Sequence, residues 1–137
     1  MQRKGMVDAL REARRTLRAR GVLVDARPDA RVLARVEHAG RVVATIRTHA
    51  EELANDAASD RAVARVKREG LFRRVRAGRF WHPLDFADRA ALDAYLAEHP
   101  RYRTRPDWRA TAAARRSWGD DPFAVVRPIR YEVLERR

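Results

Sequence analysis

The sequence predicts an α/β fold, a mixed sheet with a β-hairpin and three to four helices. Three observations predict it. Apolar residues recur at three- and four-residue steps in several stretches, as one face of an amphipathic helix requires. Between them lie short runs rich in Val and Ile, side chains that suit a pleated, half-buried surface. Gly21, Gly40, Gly70 and Pro100 stand at the joints, where helices stop and chains reverse.

In order along the chain, Val7, Leu10, Ala13 and Leu17 share one helical face and Arg11, Glu12, Arg15 and Arg18 the other, so residues 7 to 19 read as the first helix. Gly21 can take the left-handed conformation that ends it. Val22-Leu23-Val24 follows as an apolar run, closed by Pro28, of the kind seen in strands covered on both faces. Residues 32 to 37 and 41 to 47 flank His38-Ala39-Gly40, which predicts a hairpin turning at Gly40. From about Asp56 to Glu69, Ala58, Ala62, Val63 and Val66 keep helical spacing, with Asn55, Asp56 or Ser59 as N-cap and Gly70 as the stop. Residues 71 to 81 mix Phe72, Val75, Phe80 and Trp81 with Arg73, Arg74, Arg76 and Arg79, a half-buried strand broken near Gly78.

Asp88 is placed to cap a third helix whose Leu92, Tyr95 and Leu96 face inward and which Pro100 ends. Residues 101 to 107 read as a loop and 108 to 118 as a short helix, broken at Gly119-Asp120-Asp121-Pro122. Phe123 to Leu134 is the last strand, in which Pro128 demands an edge position or a bulge because it donates no hydrogen bond.

With 137 residues, 45% hydrophobic and 36% charged, the chain is expected to fold as one domain over residues 1–137. No apolar run approaches the ~18 residues that cross a bilayer. Met1-Gln2-Arg3-Lys4-Gly5-Met6-Val7-Asp8 leads into no apolar signal core, so a cytoplasmic location away from the membrane is expected. The absence of cysteine excludes disulfides, thiolate metal sites and a cysteine nucleophile. The net charge of +12 favours polyanionic partners. It is spread evenly along the sequence: residues 1–70 hold 16 basic and 10 acidic side chains, residues 71–137 hold 15 and 9. Twenty-nine of the 31 basic residues are Arg.

The segment from Ala9 to Asp25 carries Leu10, Glu12, Arg15, Leu17 and Gly21 ahead of the strand Val22-Leu23-Val24. This resembles class I S-adenosylmethionine-dependent methyltransferases, where a helix ending Leu-x-Glu-x-x-Arg-x-Leu-x-Pro-Gly-Gly feeds the fifth strand; Ala19-Arg20 stands where the family has Pro-Gly. The resemblance implies that residues 71 to 81 form the sixth strand. It also implies that the strand ending at Leu134 inserts antiparallel beside the fifth. The family holds its cofactor with a glycine-rich turn after the first strand and an acidic residue ending the second, and neither is in this chain. What is implied is a methyltransferase-like C-terminal half, noncatalytic alone. It would hold no cofactor alone, and S-adenosylmethionine only when completed by a partner half. That partner would be a second copy or a separately encoded methyltransferase half, or the missing half would belong to a longer gene.

The alternative is a small basic nucleic-acid-binding protein. Arg101, Tyr102, Arg103, Arg105, Trp108 and Arg109 interleave guanidinium groups with aromatics, as base stacking and phosphate contact require. The plain alternative for that stretch is a solvated loop anchored by Tyr102 and Trp108. His49 with Glu52 supplies two metal-type ligands, too few for a site, and His82 with Asp85 reads as a turn before a helix. Phe80, Trp81, Trp118 and Phe123 read as core or interface anchors. No residue is assigned as catalytic.

Overall fold

A computed structural model describes residues 5–103, 105–118 and 121–137. The start Met1-Gln2-Arg3-Lys4, Thr104, and the Gly119-Asp120 part of the expected helix break lie outside the described residues. The elements are α1 (Met6–Thr16), β1 (Val22–Pro28), β2 (Ala34–His38), β3 (Arg41–Ile46), α2 (Ala50–Arg68), β4 (Phe72–Phe86), α3 (Arg89–Glu98), a 3-10 turn (Pro100–Tyr102), β5 (Asp107–Trp108), α4 (Ala112–Arg116) and β6 (Phe123–Arg136). The strands are hydrogen-bonded in the order β1-β6-β2-β3-β5, with β4 also on β6. The sheet is antiparallel, not mixed, because β6 runs against the strands it joins. The chain forms two compact units, residues 1–28, 53–80 and 129–137 (unit 1) and residues 29–52 and 81–128 (unit 2).

In unit 1, α1 and α2 close over one face of the strands, where Leu10, Ala62, Val63, Val66, Phe72 and Leu134 form a mainly aliphatic core. The first helix stops at Thr16, with the Leu17 amide donating to the Ala13 carbonyl at 3.1 Å. Arg20, at φ 60°, takes the left-handed position expected of Gly21. Gly21 is needed for a different reason: a Cβ there would sit 2.8 Å from the Arg18 carbonyl oxygen. β1 is covered on one face only, with Leu23 packed on the core and Val22 and Val24 at 50% and 58% exposure. α2 begins at Ala50, so Asn55, Asp56 and Ser59 lie inside the helix and none caps it. The β4 strand runs unbroken through Gly78, and residues 73–77 and 79–81 are exposed where half-burial was expected. Tyr131 lies against Gly78, and a Cβ there would come within 2.6 Å of its hydroxyl.

Unit 2 is built on the expected hairpin, in which Ala39 and Gly40 at φ 48° and 75° make the two-residue reversal. Its core joins Val36, Ile46, Leu92, Tyr102, Phe123 and Val125. Asp88 caps α3 as its sequence position predicts, accepting from the Ala91 amide at 2.8 Å. The helix expected over 108 to 118 shortens to five residues, because Trp108 pairs with Ala44 as part of β5 and Thr111 then caps α4. Pro128 sits neither at an edge nor in a recorded bulge. β6 pairs β2 through Phe123–Val126 and β1 through Ile129–Glu135, so Pro128 falls in the gap where no ladder amide is needed.

Candidate functional site

The six residues of the arginine-aromatic stretch do not form one stacking surface. The 3-10 turn that follows α3 drives Arg101 and Tyr102 into unit 2, leaving them 8% and 1% exposed. The Arg101 guanidinium lies 3.9 Å from the Glu52 carboxylate, and its backbone amide donates to His99 Nδ1 at 3.2 Å. The Tyr102 ring packs against His99 at 5.1 Å. Arg103 is exposed and 3.5 Å from Glu51. Arg105 lines a shallow hollow of about 230 Å³ with Arg103, Asp93 and Leu96. Trp108 is half-buried, its ring covered by the guanidinium groups of Arg89 and Arg115 at 4.6 and 5.2 Å. Arg109 is exposed, and its amide donates to the Val43 carbonyl at 2.9 Å. Base stacking needs an open ring face, and Tyr102 offers none.

Sequence spacing missed the polar cluster beside that turn. Burial, reinforced by the positive charges of Arg127 and Arg101, holds the His99 imidazole below its ordinary pKa. Burial also pushes the Tyr95 phenol up, partly offset by the facing Arg127 guanidinium. Tyr95 Oη and Arg127 Nε are both buried without a hydrogen bond of full geometry. A neutral His99 whose Nδ1 already accepts the Arg101 amide serves as a cap, with only Nε2 left for any other partner. His38 is buried between Trp118 and Phe123, at ring distances of 5.0 and 4.4 Å. His49 Nδ1 accepts the Glu51 amide at 3.4 Å at the start of α2. Among the described residues, no three His, Asp or Glu side chains gather as metal ligands.

Unit 1 presents a different chemistry. It contains 19 basic and 8 acidic side chains, a net +11, against 12 and 11, a net +1, in unit 2. β1 has β6 as its one strand neighbour, leaving its other edge unpaired among the described residues. Its exposed face continues onto β6, because Val24 stands opposite Val133 and Ala26 opposite Tyr131. It continues onto β4 through Arg73, 2.7 Å from Glu135, and Phe80, whose ring lies 6.3 Å from Tyr131. At one end of this unit Arg20, Arg73, Arg136 and Arg137 line an open groove of about 540 Å³.

Gly40 turns a hairpin and Gly70 links a helix to a strand, whereas a cofactor cradle needs glycine leaving a strand and entering a helix. No helix among the described residues is long and apolar enough to cross a membrane. Compared with family models, with curated proteins and with solved structures, the chain finds no match.

Proposed function

We propose that this chain is the distal half of a methyltransferase-like fold, noncatalytic alone, which a separate cofactor-binding half completes. The observation that carries the reading is the free edge of β1, whose other edge is paired antiparallel with β6 from Val22↔Glu135 to Pro28↔Ile129. Beyond β6 lies β4, and α1 and α2 share one core on one face of these strands. The last strand running antiparallel beside the strand that follows α1 supports the reading, since the resemblance implies such an insertion beside the fifth strand. An unpaired strand edge with Val22 and Val24 exposed beside it invites another strand, since open edges in stable proteins are covered or blocked.

The partner supplies S-adenosylmethionine binding and the methyl-transfer chemistry, and this chain completes the sheet. Two measurements test this. Calorimetric titration of the chain alone with S-adenosylmethionine is expected to show no binding. Co-expression with the coding sequence immediately upstream is expected to yield a complex that binds the cofactor and that Val24→Lys dissociates. Cofactor binding by the chain alone, or a Val24→Lys variant that assembles unchanged, overturns the proposal.

A further inference from the structure

We infer that the open groove at one end of unit 1 binds a small ligand carrying a diphosphate group, one phosphate held by Arg20 and the other by Arg137. The inference goes beyond the methyltransferase reading and does not rest on it, since it needs neither the free edge of β1 nor a partner half.

The lining comes from three segments: Ala19 and Arg20 before β1, Arg73 on β4, and Glu135, Arg136 and Arg137 at the end of the chain's last strand. Main-chain bonds tie these segments together. The Arg136 amide donates to the Gly21 carbonyl at 2.8 Å, the Arg137 amide donates to the Leu71 carbonyl at 3.2 Å, and Arg14 donates to the Arg137 carbonyl. The backbone under the cations is thus already fixed, and only side chains remain to be ordered by a ligand.

Four guanidinium groups share the groove with one side-chain carboxylate, that of Glu135. Arg73 binds that carboxylate at 2.7 Å, and Arg136 donates to the Leu17 carbonyl. Arg20 and Arg137 are exposed and, among the described residues, make no ion pair within 4.0 Å. The hydrogen bond from Arg73, and then the charges of Arg73, Arg20 and Arg137, hold the Glu135 carboxyl below its ordinary pKa. Two uncommitted guanidinium groups therefore stand beside one committed pair.

The backbone at Arg20 is an independent sign. The Gly21 amide donates to the Arg18 carbonyl at 2.8 Å, which closes a turn with Ala19 and Arg20 at its centre. Arg20 holds φ 60°, a left-handed conformation that is costly for a residue with a Cβ and free for glycine. An arginine kept at such a position, with its side chain lining a groove of like charge, is placed for a ligand rather than for stability.

Shape and charge select that ligand. The groove volume of about 540 Å³ is that of a small-molecule site. Further along the open sheet face stand Val24, Val133, Tyr131 and Phe80, so no basic track continues there for a polymer. A single phosphate satisfies one free guanidinium in the bidentate manner, and two linked phosphates satisfy both.

The test is calorimetric titration of the chain with inorganic diphosphate, ADP, inorganic phosphate and sulfate. It is run at about 150 mM salt, where exposed charges more than about 8 Å apart are largely screened. Diphosphate is expected to bind at least about tenfold tighter than phosphate or sulfate. Binding of ADP with similar affinity assigns the site to diphosphate esters, and its failure to bind assigns the site to the free anion. Arg20→Gly is expected to weaken diphosphate binding about tenfold while leaving the urea midpoint equal or higher, because glycine relieves the backbone. Glu135→Gln, which removes the competing carboxylate, is expected to tighten binding. Arg61→Ala, which deletes an exposed guanidinium of α2 outside the groove, is expected to change nothing. The inference is overturned if Arg20→Gly binds diphosphate as tightly as the parent chain, or if Arg61→Ala loses as much as Arg20→Gly. It is equally overturned if phosphate and sulfate match diphosphate, which would mark diffuse attraction of any anion.

Discussion

Unit 1 surrounds a mainly aliphatic core holding Leu10, Val66 and Leu134 with 19 basic and 8 acidic side chains, while unit 2 surrounds an aromatic-rich core holding Tyr102 and Phe123 with 12 and 11. Along the sequence the same charges divide evenly between the two halves. The fold separates them because unit 1 collects three distant segments, each with an excess of arginine, and unit 2 collects the segments in which Asp and Glu keep pace. A linear charge profile therefore reports solubility, and only the assembled unit reports a field. Unit 2 neutralises its surface locally, and unit 1 leaves a positive one.

The two cores can be probed separately, because Trp81, Trp108 and Trp118 all fall in unit 2. The largest effects are expected from Leu134→Ala in unit 1 and Leu92→Ala in unit 2, each fully buried and each costing roughly 2–5 kcal/mol of stability. In urea titrations, Leu92→Ala should shift the tryptophan fluorescence midpoint first and Leu134→Ala the helical circular dichroism. Identical shifts of both signals by both variants would show that the units unfold as one.

Next in size is Gly78→Ala. Its new Cβ meets the Tyr131 hydroxyl at 2.6 Å, so one of the two must move, at a cost of roughly 1–3 kcal/mol. The same substitution in a Tyr131→Ala background should cost less, and equal costs in the two backgrounds would remove Tyr131 as the cause. In unit 2, Asp88→Ala removes the acceptor for the Ala91 amide and should cost about 1 kcal/mol in the urea midpoint.

The smallest effect is a pH dependence confined to unit 2. The folded state lowers the His99 pKa, mainly through burial, so it disfavours the protonated ring. The stability this contributes is fully present above the unfolded pKa of roughly 6.5 and is lost as pH falls through the lower folded value. Protonation also removes the Nδ1 acceptor of the Arg101 amide. His99→Asn keeps a polar acceptor without a titrating ring. Its tryptophan-detected midpoint should therefore change less between neutral and mildly acidic pH than that of the parent chain, and an unchanged slope would assign the dependence to other groups.

Local signals that act through the nearest turn of chain were legible. The Gly40 hairpin, the Asp88 cap with Leu92 and Leu96 behind it, and the helix stop at Gly70 all depend on residues within a few positions of one another. Signals that depend on a partner element were not. Trp108 looks like the start of a helix until β3 takes it as a strand partner. The arginine-aromatic stretch looks like an exposed binding patch until the 3-10 turn carries Tyr102 into the core. The α2 helix starts at Ala50, with His49 Nδ1 at its first turn, where no apolar periodicity announces it.

By itself the sequence determined an α/β chain with three to four helices, a hairpin and a last strand, because backbone preference and apolar spacing are properties of neighbouring residues. It also determined the excess of +12, which composition alone sets. The tertiary structure decided that β6 pairs β2 as well as β1, that Val22, Val24 and Phe80 stay exposed, and that +11 of the charge gathers in one unit. These are relations between residues more than a hundred positions apart in places, which no local preference encodes and only packing brings together.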